Sequence, residues 1–421
     1  ATKPGEEGVV VDLAGMRMKL DPRAEWSQMF DEAWRIGRDW FYDENMHGID
    51  WQAMKERYGA LVPHVAHRSD LDFIFGELVG ELEAGHTYVQ SGDEPSVERV
   101  EGGMLGAEFA ADASGRFRIA KIFPGENWNE DYRSPLTEQG VDANEGDFLL
   151  AIDGVELTTE DNPFALLEGK ADQQVTLTLN STSDMAGARD VVVRTITSEQ
   201  GLRYLDWVNS RAALVDELSD GRIGYIHLPN TAQEGNRMMQ KFFYSQASKP
   251  GLIIDDRYNG GGFIPDRMIE MLSRTTLSYW SRRGIEPFTT PGNRHDGPKA
   301  MLINGYAASG GDALPYYFRK QGLGPLIGTT TWGGLIGLSG NPMLVDGGGV
   351  LYPTFRFYNT EGEWAVENVG VAPDVEIWDL PEAIAAGGDP SIEKAVEVLM
   401  QELESYPGEP EVPTPPDMTE R

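Results

Sequence analysis

NGYAASGGDALPYYFRK, residues 304–320, joins the end of an apolar strand to the start of a helix through a tight turn. Ser309 stands in that turn, Gly310 and Gly311 follow at once, and Asp312 completes it. The two glycines let the backbone turn sharply without a Cβ clash, and Asp312 is placed to cap the helix. The geometry lifts the Ser309 hydroxyl above a sheet edge. A helix start leaves N–H groups unpaired and carries the positive end of the dipole, so the turn would also present donors to whatever the hydroxyl attacks. Read in isolation, SGGD serves equally well as a capped βα turn without chemistry.

Around this turn, from about 199 to 390, buried-type strands (RIGYIHL, GLIIDDR, KAMLING, PLIGTT) alternate with helical stretches (NRMMQKFFYSQAS, DRMIEMLSRT, DALPYYFRKQ). That alternation predicts an α/β domain with a largely parallel sheet, whose active site would lie at the carboxyl ends of the strands. Upstream, over 99–198, short apolar or alternating runs separated by Gly, Asp and Asn predict a small β domain. Its Gly146-Asp147-x-Leu149-x-x-Ile152-Asp153-Gly154 pattern resembles a PDZ domain. Residues 1–98 carry helical punctuation, with Asp21, Asp50 and Ser69 as expected caps and Trp26, Met29, Phe30, Ala33 and Trp34 at helical spacing. The predicted chain is therefore multidomain, α+β and α/β: a small helical domain, a PDZ-like domain and an α/β domain, the last resembling the crotonase or processing-peptidase type. A terminal helix and a Pro- and Glu-rich tail fill 391–421.

Composition narrows the functions. With 68 acidic against 35 basic residues the formal charge is -33, a field that repels nucleic acid backbones and anionic membranes. No window approaches an apolar membrane span, and the start ATKPGEEG has neither the basic nor the apolar part of a leader. A first residue other than Met fits Met removal, a cleaved leader or a fragment. Zero cysteine excludes thiol catalysis and Cys-ligated zinc, and leaves the redox compartment undetermined.

A second glycine cluster strengthens the case for chemistry. GLIIDDRYNGGGF, 251–263, is another apolar strand that ends in Asp255, Asp256 and Arg257 and runs into three consecutive glycines. One glycine would serve a turn; three suggest close approach of a chain or ligand to exposed N–H groups. The two aspartates read as a structural acid–arginine pair. A nucleophilic serine needs a base, and there are six histidines. His64 and His67 lack carboxylates at ligand spacing, His47 and His295 fall in polar loops, and His227 ends a strand as a core or cleft residue. His86 follows a glycine where a helix would stop, at a domain edge. Spacing alone does not choose among them.

GELEAGHTYV (80–89), DDRYNGGGF (255–263), the run from Tyr306 to Gly334 and AVENVGVAPDVEI (365–377) together resemble the catalytic core of the tricorn protease family, in register over nearly the whole chain. In that family a Ser-His-Ser-Glu tetrad hydrolyses peptides. The resemblance implies Ser309 as nucleophile, His86 as general base and Glu367 as distal acid. It also implies an oxyanion hole from the amides of Gly310 and of one glycine among 260–262, taken at Gly261. It implies peptide substrates, no metal or cofactor, and a homo-oligomer, hexameric or dimeric. A cytoplasmic location follows from it too, with a periplasmic or secreted one left open.

The sequence departs from the family in places. The family's second serine directly precedes the histidine, where Gly85 stands here, so one orienting hydrogen bond is absent and a slower enzyme is expected. The residue after the nucleophile is an acid in the archaeal prototype and Gly310 here. The family's acidic substrate-pocket residue should fall in LSYWSRRG, 277–284, where Tyr279 and Trp280 stand; an apolar or aromatic P1 residue is thus as plausible as a basic one. The family's β-propellers are not in this sequence, which fits an excised core or a short form. Three rivals stand beside the peptidase reading. A C-terminal processing peptidase would need a lysine in the stretch GTTTWGG, 328–334, which has none. A catalytically weak PDZ-containing peptide-binding protein draws support from Gly85. Acyl-CoA chemistry lacks a phosphate-binding motif.

Overall fold

The computed structural model describes residues 15–92, 95 and 97–419. The stretch 1–8 read above for a leader lies outside them. The chain divides into two compact units, one of Ala1–Pro95 with Trp332–Val371, the other of Ser96–Thr331 with Ala372–Arg421.

In the first unit, α1 (Pro22–Trp40), α2 (Trp51–Gly59) and α3 (Arg68–Gly80) bury the faces their spacing predicts. Met29, Phe30, Ala33, Trp34, Trp51, Leu71, Phe75 and Leu78 form one core. The indoles of Trp34 and Trp51 each donate to the other's carbonyl, at 2.8 and 3.0 Å, which satisfies both buried N–H groups. Asp21 and Asp50 cap as expected. Ser69 does not: His67 is the N-cap of α3, because the Asp70 carboxylate reaches back to the His67 amide at 2.9 Å and closes a capping box. Segment 332–371, expected within the α/β domain, belongs to this unit. Its strand Gly349–Leu351 pairs antiparallel with Tyr88–Gln90. Tyr352 is fully buried among the helices, its hydroxyl donating to Ala33 O at 3.1 Å.

In the second unit the PDZ-like sheet runs antiparallel in the order Ala107–Ala111, Phe117–Ile122, Phe148–Ile152, Gln174–Asn180, Arg189–Arg194, with Val155–Glu156 paired to 148–152. Gly146 and Gly154 bracket its central strand at φ 93° and 76°, conformations that favour glycine and explain the motif. The other sheet is wholly parallel, in the order Val375–Glu376, Leu326–Gly328, Lys299–Ile303, Gly251–Asp255, Ile223–His227. Its central strands are buried throughout, as parallel strands covered on both faces must be. Helices α4 (Gln200–Leu218) and α9 (Pro390–Ser405, after the short α8 at Pro381–Ala385) pack one face through Val208, Val215, Ile392 and Leu399. Helices α5 (Gln233–Gln246), α6 (Pro265–Leu272) and α7 (Gly310–Lys320) complete the unit. Beyond Ser405 the described residues contain no helix or strand.

A buried ion network ties the sheet's carboxyl end to the chain's last helices. The Arg257 guanidinium, 2% exposed, bonds Asp255 at 2.6 Å, Asp379 at 2.8 Å and Asp389 at 2.9 Å. Removing one partner from a buried cluster leaves the others charged and unpaired. Arg257→Met is therefore expected to destabilise the protein by about 3–5 kcal/mol, measured as a fall in urea midpoint at unchanged slope.

Candidate active site

The expected residues divide between the units: His86 and Glu367 belong to the first, Ser309, Gly310, Gly261, Tyr279 and Trp280 to the second.

Ser309 occupies the N-cap position of α7 at φ 57°, ψ -112°, a backbone conformation that costs a non-glycine residue energy and is held by its surroundings. Its side chain makes no capping bond, so the hydroxyl is not spent on the helix. Asp312, expected as the cap, lies instead in the first turn, fully buried, and accepts from Thr331 Oγ1 at 2.5 Å. The carbonyl of Ser309 takes over, accepting from Asp312 N and Ala313 N at 2.9 and 3.0 Å.

The glycine run is pressed against this turn. A Cβ at Gly261, whose φ is 82°, would lie 2.7 Å from Ser309 Cβ, and one at Gly310 would lie 1.8 Å from Thr231 Oγ1 and 2.5 Å from Gly262 O. Only glycine fits at either place. Asn259 locks the two loops together: its carbonyl accepts from Ala308 N at 2.9 Å and its Oδ1 from Gly261 N at 2.9 Å. The Gly261 amide, expected to be free for an oxyanion, is thus already engaged. No described hydrogen bond uses the N–H of Gly310 or of Gly262.

Of the two aspartates, Asp255 is the expected arginine partner, its carboxyl held below the usual range by Arg257 despite full burial. Asp256 is not. It is fully buried, accepts from Asn259 Nδ2 at 2.8 Å, and faces Asp255 and Asp312, so desolvation first, and those two carboxylates after it, push its carboxyl well above the ordinary range. His227 is a core histidine between Tyr204 Oη at 2.9 Å and Arg257 O at 3.0 Å. His295, expected in a polar loop, is buried, and desolvation pushes it down to about 4.

In the first unit, His86 sits at φ 54° directly after Gly85, half-buried, with its ring against Trp332 (centroids 5.3 Å) and Tyr88 (6.1 Å). Its Nδ1 is buried without a hydrogen-bond partner, and desolvation lowers its pKa from the ordinary 6.5. Glu367 lies between Val366 at φ 74° and Asn368 at φ 62°, a strained turn for a β-branched residue. Its carboxylate accepts from Gly85 N at 2.8 Å and Leu335 N at 2.7 Å. It therefore grips the backbone next to the histidine. Spacing gave no sign of Leu335 or of the Asn259 carbonyl, whose contacts with Glu367 and Ala308 join segments distant in sequence.

Tyr279 and Trp280 lie on an exposed antiparallel hairpin, Ser278–Arg282 with Ile285–Thr290. Trp280 stacks on Phe288 at 6.3 Å and donates to Thr290 Oγ1 at 2.8 Å. Among the described residues no cluster of His, Asp or Glu could hold a metal ion, and no helix is long and apolar enough to cross a membrane.

Residues 22–80 match the tricorn protease C1 domain, 103–198 the tricorn protease PDZ domain and 222–377 peptidase family S41. The chain belongs to the tricorn protease family. It is 36% identical to tricorn protease homolog 1 of Streptomyces coelicolor over 98% of its own length and 38% of the relative's. It is 34% identical to the tricorn protease of Thermoplasma acidophilum, over 91% of this chain and 35% of that one. A crystal structure of the tricorn protease superposes with TM-score 0.85 at 34% identity, covering 91% of this chain and 37% of that one. This chain thus spans well under half the length of these three proteins.

The buried acid beneath the site has a testable pH signature. A carboxyl whose folded pKa is raised contributes its full stability below the unfolded value of 3.8 and loses it as pH rises toward the folded value. Asp256→Asn removes that titration, so its Tm relative to the parent is expected to climb between pH 4 and 7; a constant difference would mean an ionised Asp256.

Proposed function

We propose that the chain is a serine peptidase acting on short peptides, and the observation that carries this reading is the strained Ser309 turn with an uncommitted hydroxyl beside the unengaged amide of Gly310. His86 Nε2 takes the Ser309 hydroxyl proton as Oγ attacks the peptide carbonyl. The tetrahedral anion is held by Gly310 N–H and by the 261–262 turn, in which Gly262 holds the unengaged amide and Gly261 shares its proton with Asn259; a donor of this kind is worth about 3 kcal/mol. The C–N bond then breaks, His86 returns the proton to the leaving amine, and water releases the acyl group by the same steps in reverse roles. Glu367 acts through the Gly85 backbone, fixing where the imidazole stands. Tyr279 and Trp280 are proposed to favour apolar or aromatic side chains. By resemblance the assembly is a hexamer or its building dimer, in the cytoplasm.

Labelling by a fluorophosphonate, with cleavage of a mixed peptide library followed by mass spectrometry, tests the reading. Both signals are expected in the parent and absent in Ser309→Ala and His86→Ala. A folded parent that neither labels nor cuts leaves the peptide-binding alternative in its place.

Because burial alone lowers the His86 pKa, the imidazole is neutral at pH 7, and the acidic limb of kcat/KM is expected below 6.5. Gly85→Ser inserts a hydroxyl where the Cβ would lie 3.0 Å from Glu367 Oε1, a contact the carboxylate can relieve by a small shift. The variant is expected to raise kcat severalfold and move the acidic limb upward, since a bridged Nδ1 stabilises the imidazolium; an unmoved limb would show that the serine does not reach the ring.

A further inference from the structure

Resting on the peptidase reading, the geometry points to a subsite in the second unit that takes a guanidinium side chain of the substrate, away from the Tyr279–Trp280 hairpin. A cavity of about 490 Å³ opens at the carboxyl ends of the parallel strands, lined by Tyr258, Tyr306, Thr329, Thr330, Glu376 and Trp378 among others. Tyr258 precedes the glycine run and Tyr306 precedes Ser309, so both loops of the catalytic turn contribute a ring to it.

The rings are built into place. Tyr258 and Tyr306 stack with centroids 5.6 Å apart and planes 26° from parallel. One acceptor holds both: Asn304 Oδ1 receives the N–H of Tyr258 and of Tyr306, each at 3.1 Å. Tyr258 is kept at φ 63°, and the edge of Trp207 supports it at 6.0 Å. Yet Tyr306 remains 74% and Trp378 65% exposed, a surface cost for three large rings that bury little of themselves.

The charged side chains that line the cavity are all acidic. No lysine, arginine or histidine lines the cavity, while Glu376 and Asp379 do. Asp379 is spent inward, on Arg257 Nη1 at 2.8 Å and Ser391 N at 2.9 Å. Glu376 is exposed and is steadied by Trp378 Nε1, which donates to its Oε1 at 3.0 Å. Stacked aromatic faces beside a fixed carboxylate, with no competing cation, suit a planar cation that can stack and pair at once. In an extended peptide each residue advances about 3.3 Å, so a side chain a few residues from the scissile bond reaches the cavity.

The test uses the full chain as Ser309→Ala, which separates binding from turnover. N-acetyl-arginine amide and its uncharged isostere N-acetyl-citrulline amide are titrated by NMR. Arginine is expected to bind about fivefold tighter, the scale of an exposed cation–π contact plus an ion pair. Glu376→Gln should abolish the difference, Tyr306→Ala should weaken both ligands, and Tyr306→Phe should restore them. Equal binding of the two ligands, or a difference that survives Glu376→Gln, overturns the subsite. If the parent takes no fluorophosphonate label but the arginine difference holds, the peptidase reading falls and the subsite stands. If label appears without the difference, the reverse follows.

Discussion

The Ser309 turn depends on a backbone interlock that only small residues permit. Asn259 O accepts from Ala308 N at 2.9 Å, and a Cβ on Gly311 would come within 2.8 Å of that same carbonyl. The loops after the strands 251–255 and 299–303 therefore meet main chain to main chain. That contact holds Ser309 in a conformation it would not choose and leaves the Gly310 amide without a described hydrogen bond, so strain and donor arise from one packing constraint.

Beneath this interlock the electrostatics divide labour between adjacent carboxylates. Arg257 pairs with Asp255 and holds its carboxyl low; Asp256, one residue on and equally buried, has no such partner and desolvation pushes it well up. The result is a rigid, largely neutral floor under the glycine loop, with the charge drawn sideways into the Arg257 network. His86 packs against Trp332 and desolvation lowers its pKa, while the Glu367 carboxylate grips the preceding amide. With glycine at 85 the contact is a backbone tether.

Much of this was legible beforehand. Periodicity and punctuation located the helices of the first unit, the strands of the parallel sheet and the PDZ-like meander, because each element announces its burial through local spacing. Ser309 and the glycine run could be read as a turn because glycine pairs have few other uses at a strand end. Segment 332–371 was read into the α/β domain, since its pairing with Tyr88–Gln90 is a contact across more than two hundred residues that no local spacing announces. His67 displaced Ser69 as a cap for a related reason: the Asp70 side chain that completes the box reads as any first-turn acid.

By itself the sequence determined the class of the domains, the absence of thiol chemistry, the acidic field and the candidate nucleophile, all of which depend on residue type and local spacing. Tertiary structure alone decided which amides remain unspent, which of Asp255 and Asp256 carries charge, and what Glu367 holds. Those properties are set by hydrogen-bond partners and desolvation, and both arise only where segments distant in the chain exclude water from one another.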